Sequence, residues 1–191
     1  MTSVFDSGWW HQARRIPSPN FGQRPLNTPI ELLVVHSISL PPGEYGGPYI
    51  DQFFTNTLDT SAHPYFETIA ALQVSAHFVI DRQGLVTQYV SVNDRAWHAG
   101  RSQWLNRDNC NDWSVGVELE GLEGDTFTAE QYHSLALLTQ DLVASYPIRH
   151  IAGHSHIAPG RKADPGSGFD WSLLHQKTAS LKLLYPPELP V

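Results

Sequence analysis

The stretch GHSHIAPGRKADPG, residues 153–166, gathers two histidines, a lysine and an aspartate among prolines and glycines. Imidazole and carboxylate are donors from which open zinc sites are built, usually as three protein ligands with a fourth position left for water. His154 and Asp164 offer two such donors, with Pro159 and Pro165 restricting the loop that would hold the carboxylate near the imidazole. His36, at the end of the apolar run ELLVV (31–35), offers a third. Hydrolysis at such a centre also needs a base for the proton of water and a donor for the developing oxyanion. Glu118 is the candidate base, Glu120 its rival, and Lys162 the candidate cation. On spacing alone a second reading stays open, because the chain has ten histidines. It is a pair of hydrogen-bonded structural histidines, a turn-forming Asp before Pro and a solvated surface lysine.

The elements that would position these groups can be read from periodicity. ELLVV has the continuous apolar character of a strand buried on both faces. VSAHFVI and LVTQYV flank DRQG, so 74–90 reads as a β-hairpin with Gly84 at its turn. In WSVGVELEG (113–121), Val115, Val117 and Leu119 alternate with Gly116, Glu118 and Glu120, which puts both glutamates on one strand face. A helix is predicted over 128–146, opened by Thr128 and Gln131 in capping-box spacing, and a weaker one over 170–185. The fold class that follows is mixed α/β, a central mixed β-sheet flanked by α-helices. Residues 39–49 and 98–112 are expected to be long loops, candidates for lids or binding walls.

Length and composition bound the rest. The 191 residues suit a single domain, 1–191, with a flexible C-terminal tail from about 185 in the Pro-rich LYPPELPV. A formal charge of −7 without a Lys/Arg run gives no footprint for nucleic acid or an anionic membrane. The N-terminus lacks an apolar secretory core, no segment is long enough to span a bilayer, and the single cysteine, Cys110, fits a reducing compartment. A cytoplasmic protein is expected, with no fixed oligomeric state and a monomer preferred. His11, His133, His150 and His175 stand without companions and are expected at the surface.

The motifs LLVVHSISLPPGEYGGPYI, HPYF, VSAHFVI, DRAWHAG, CNDWSVGVELEG and GHSHIAPGRKADPG occur in the order and spacing of a known family. From about Gly8 to Trp171 the chain resembles the AmpD-type bacterial 1,6-anhydro-N-acetylmuramyl-L-alanine amidases. They belong to the zinc N-acetylmuramoyl-L-alanine amidases and share a fold with phage amidase lysozymes and peptidoglycan recognition proteins. The resemblance implies that His36, His154 and Asp164 bind zinc, that Glu118 is the catalytic acid/base, and that Lys162 stabilises the transition state. It also implies the substrate, the amide joining anhydromuramic acid to L-alanine in cytoplasmic muropeptides during peptidoglycan recycling. In bacteria with an inducible β-lactamase such fragments can be the inducing signal.

Substrate contacts are expected at Ser37, Tyr65, Gln73, Trp97 and His98, with Trp97 and His98 as cleft walls; core packing is the other reading of Tyr65 and Trp97. Ser37 stands where relatives carry Asn, and Gln73 where some carry a basic residue, which bears on stem-peptide preference. His156 adds an imidazole two residues from His154. Two other functions compete with the amidase: a non-catalytic module that binds or senses wall fragments, and a structural zinc site closed by a fourth ligand, for which His156 is the candidate.

Overall fold

Alternating and continuous apolar runs become the strands of one six-stranded mixed sheet. In a computed structural model, which describes residues 3–187 and 189, the strands are β1 (Arg14–Arg15), β2 (Leu32–Ile38), β3 (Phe78–Ile80), β4 (Val86–Gln88), β5 (Ser114–Glu120) and β6 (His150–Gly153). Their order across the sheet is β6-β2-β5-β3-β4-β1. The pairs β6/β2, β2/β5 and β5/β3 are parallel, β3/β4 is the expected antiparallel hairpin, and β4/β1 is parallel again.

The helices are α1 (Tyr49–Phe54), α2 (Pro64–Ile69), α3 (Ala129–Ser145), α4 (His154–Ile157) and α5 (Trp171–Thr178). The capping box of α3 forms as its spacing predicts: Thr128 Oγ1 accepts from the Gln131 N–H at 3.1 Å, and Gln131 Oε1 accepts from the Thr128 N–H at 3.0 Å. Gln131 Nε2 then donates to the carbonyls of Ile80 and Glu120, tying the start of α3 to the ends of two strands. The second predicted helix is shorter than its pattern. After α5 a 3-10 turn, Ala179–Leu181, ends at Lys182, whose φ of 54° stops the helix.

The two faces of the sheet have different cover. Leu33, Val35, Val115, Val117 and Leu119 pack under α3 and α5, against Leu135, Leu138, Leu142 and Leu174. On the other face Leu32 and Val34 pack against Ala99, Cys110, Trp113 and Ile157 from irregular chain and α4. Farther along that face, α1 and α2 build a separate cluster around Phe53, Phe54, Phe66 and Val79. Both stretches expected to be long loops contain structure: α1 begins at Tyr49, and Gln103–Trp104 pairs with Arg107–Asp108 in a small hairpin.

His11 and His133 are exposed as expected, but His150 and His175 are half-buried. Their rings meet Trp104 and Tyr185 edge-on, at centroid distances of 6.5 and 5.1 Å. Tyr185 also packs edge-on against Trp171, and Leu189 lies against the main core. Residues 188, 190 and 191 of the expected tail lie outside the described residues. No helix among the described residues is long and apolar enough to cross a membrane.

Candidate active site

The chemistry-bearing side chains rise from the face of the sheet opposite α3. In the parallel pairing of β2 with β5, His36 stands level with Glu118, so both project from adjacent strands on the same side. His36 is inside β2, two residues before its end, rather than just after it as the sequence suggests. Beyond β2, β6 hands the chain directly to α4, whose first residue is His154. The loop after α4 returns Asp164, and the Asp164 carbonyl accepts from the Ser155 N–H at 2.9 Å, closing that loop on itself.

Three donor atoms converge. His36 Nδ1 lies 3.0 Å from His154 Nδ1, and Asp164 Oδ2 lies 3.1 and 3.0 Å from the two. Two ligands each about 2.05 Å from a tetrahedral zinc would stand about 3.3 Å apart, so a triangle of this size fits one small cation. The two imidazoles are almost wholly buried, while Asp164 is open enough to leave one side of the triangle accessible. Their outer nitrogens are occupied: His154 Nε2 donates to the Ala99 carbonyl at 3.1 Å, and His36 Nε2 faces His98 Nδ1 at 2.9 Å. Partners of this kind orient metal-binding histidines. The donor set and the accessible fourth direction therefore suit a divalent metal such as zinc.

Electrostatics agree with the geometry. Burial lowers the His36 pKa to about 4, assisted by the neighbouring His154, so the ring is a neutral donor at physiological pH. Glu118 goes the other way, raised well above an ordinary glutamate by burial first and by the Asp164 charge second, with Lys162 opposing. One of its oxygens, Oε2, is buried and makes no hydrogen bond within the protein. An orphaned buried oxygen beside three converging donors is poised for a ligand's proton.

Glu120, the rival base, is placed differently. Glu120 shares the parity of Glu118 but is buried and committed: Oε1 accepts from the Gly46 N–H at 2.6 Å and Oε2 from the Arg82 N–H at 3.3 Å. It anchors the segment between β2 and α1 to the sheet. Of the two, Glu118 lines the cavity that His154 and Asp164 also line, and Glu120 does not.

That cavity encloses about 800 Å3. Ser37, Tyr65 and Trp97 line it, as does the exposed Lys162. Tyr65 is not the core residue of HPYF; Phe66 is fully buried and Tyr65 is 38% exposed. Gln73 does not line the cavity: it is exposed, and the wall there is Leu72 and Val74. His98 borders the cavity, but its ring is directed at His36 and Ser114 rather than serving as a simple wall. His156 is not a fourth donor. Its Nδ1 accepts from the Gly153 N–H at 2.9 Å, its ring packs edge-on against Trp171, and it is outside the candidate metal-binding group found among the described residues. Sequence reasoning missed the apolar wall of Phe53, Phe54 and Ile69, because α1 and α2 are too short to show a period. The only signal for α2 is the His63-Pro64 pair, in which His63 Nδ1 caps the helix and Pro64 fills its first position.

With this geometry in hand, the known proteins similar to the chain can be placed. The family model described as N-acetylmuramoyl-L-alanine amidase matches residues 26–167. The 1,6-anhydro-N-acetylmuramyl-L-alanine amidase AmpD of Salmonella typhimurium (strain SL1344) is 54% identical over 168 residues, which are 87% of this chain and 90% of that protein. The crystal structure of a selenomethionine derivative of AmpD superposes with a TM-score of 0.86 at 50% identity, covering 93% of this chain and 98% of that one. A Drosophila peptidoglycan recognition protein, PGRP-SD, at 18% identity, shares the fold, with a TM-score of 0.58 over 84% of this chain and 86% of its own. On these grounds the chain belongs to the N-acetylmuramoyl-L-alanine amidase family.

Proposed function

We propose that the protein is a zinc-dependent 1,6-anhydro-N-acetylmuramyl-L-alanine amidase. It hydrolyses the amide between anhydro-N-acetylmuramic acid and the L-alanine of the stem peptide in muropeptides recycled in the cytoplasm, as a monomer and as one domain spanning 1–191. The observation that carries this reading is the convergence of His36 Nδ1, His154 Nδ1 and Asp164 Oδ2 at a cavity lined by His154, Asp164 and Glu118, whose Oε2 is orphaned. The relatives' named reaction supplies the substrate.

Zinc held by His36, His154 and Asp164 would supply a Lewis acid that makes water nucleophilic near neutral pH and polarises the scissile carbonyl. Glu118 takes the proton of the attacking water at Oε2, which its raised pKa suits to both accepting and later releasing a proton. It then hands that proton to the departing alanine nitrogen. Lys162, whose charge is felt by Glu118, faces the negative charge growing on the carbonyl oxygen. Trp97, Tyr65 and the apolar wall of α1 and α2 enclose the sugar and the start of the peptide, excluding water.

The test is incubation of the purified protein with matched anhydro- and ordinary muramyl-peptides, with chelator and with zinc restored, read by mass spectrometry. Release of intact peptide from the anhydro substrate, abolished by chelator and recovered with zinc, is expected. Binding without cleavage in zinc-loaded protein would replace the amidase reading with that of a wall-fragment sensor.

A further inference from the structure

The geometry points to a directed chain of hydrogen bonds, from the Cys110 carbonyl through Ser114 and His98, that fixes which nitrogen of His36 faces the metal and makes His98 a positioning residue of the centre. It rests on the metal-site reading above and concerns residues that reading leaves unused.

The direction follows from what each atom can do. A carbonyl oxygen only accepts, so the Ser114 hydroxyl, 2.6 Å from the Cys110 carbonyl, commits its one proton there. Ser114 Oγ is left with lone pairs for His98 Nε2 at 3.1 Å, and that nitrogen must carry the ring proton. The remaining nitrogen of a neutral His98, Nδ1, is then an acceptor 2.9 Å from His36 Nε2. His36 Nε2 donates, and its Nδ1 presents a lone pair to the site shared with His154 and Asp164. A backbone carbonyl thus selects the tautomer of a metal ligand two side chains away.

The neighbouring residue does the same for the second imidazole. The Ala99 carbonyl accepts from His154 Nε2 at 3.1 Å, which leaves His154 Nδ1 free to ligate. One buried side chain holds the pair, since Asn111 Oδ1 accepts from the N–H groups of His98 at 3.1 Å and Ala99 at 2.8 Å. Space is provided by Gly116, where an added Cβ would stand 2.4 Å from His98 Cγ. The dipeptide His98-Ala99 therefore orients both histidine ligands, with Gly116 clearing its bed and Asn111 fixing its backbone.

Two readouts test this. In metal-free protein, nitrogen NMR of the histidine rings should find His36 and His98 both as Nε2–H tautomers; His36 found as the Nδ1–H form would overturn the relay. Zinc affinity, measured by competition with a chromophoric chelator, should fall about 10–100-fold in His98→Phe, which keeps ring bulk without an acceptor. His98→Asn, whose amide oxygen can reach the place of Nδ1, should recover most of that loss. Parent-like zinc affinity in His98→Phe, or equal losses in the Phe and Asn variants, would show that His98 only fills space. Should His98→Phe fail to fold, Ser114→Ala gives the answer: it should weaken zinc binding and mix the His36 tautomers, and a single unchanged tautomer would count against the relay. A parent protein that takes up no zinc would instead remove the metal reading, while the tautomers of the metal-free protein still judge the hydrogen-bond chain.

Discussion

The floor of the cavity and its walls are built on different principles. The floor is parallel sheet: His36 and Glu118 sit at paired positions of β2 and β5, held by backbone ladders on both sides. The walls come from the segment between β2 and α1, from α1 and α2, and from residues 72–75, which pack as a cluster of their own. His36 and Glu118 thus stand on the element least able to move, His154 and Asp164 are held against it by α4 and a loop that closes on itself, and groups that only enclose a substrate stand on short helices and turns. The floor should therefore govern turnover and the walls recognition.

The largest effect is expected where the loop after α4 completes the centre above the floor, from Asp164→Ala, which removes the charged member of the donor triangle. Zinc should be lost, read by elemental analysis after dialysis, and activity should fall by about 10^4-fold or more. Next, Glu118→Gln should keep zinc but lose about 10^2–10^4-fold in kcat, the usual worth of a positioned base. Because that base works ionised and its pKa is raised, activity should be lost as pH falls through a point above the ordinary carboxylate range. A wild-type acid limb near an ordinary glutamate value would separate it from Glu118.

The same group gives a stability prediction with the opposite sign. A carboxyl whose pKa is raised by folding contributes stability below its unfolded pKa, and that contribution is lost as pH rises through the folded value. Glu118→Gln should therefore raise the melting temperature of metal-free protein at neutral pH, by about 2–4 °C for each 1 kcal/mol regained in a chain of this size. Lys162→Ala follows, with a loss of about 10^2–10^3-fold in kcat and little change in KM, as for a lost oxyanion donor. On the wall, Leu72→Ala should raise KM about fivefold at nearly constant kcat, as removal of about 1 kcal/mol of apolar contact requires. A Leu72 variant that lost kcat instead would erase the division between floor and wall.

The same division explains what could be read from the sequence. The alternation in 113–121 and the capping box at Thr128 are local patterns, and both became the elements they predict. The donors His36, His154 and Asp164 were legible as residue types, and the sheet order brought them together. Choosing Glu118 over Glu120 was beyond parity, because what separates them is the Gly46 and Arg82 amides, supplied from 74 and 38 residues away. The hairpin at 103–108 was hidden for a local reason. Its turn needs positive φ at Leu105 and Asn106, and leucine is a residue that seldom announces such a turn. His98 was named from AWHAG as a wall, but its role depends on the hole at Gly116, which no spacing rule records.

His36 and His154 are separated by 118 residues of chain, and Asp164 comes ten later still. A growing polypeptide carries the first donor early but cannot close the triangle until residue 164 has been made and β6 has docked beside β2. Metal ions met during synthesis thus find scattered imidazoles rather than a centre. On the zinc reading proposed above, acquisition of the cation is a late event that reports completion of nearly the whole fold, and a fragment ending before β6 cannot be an active hydrolase.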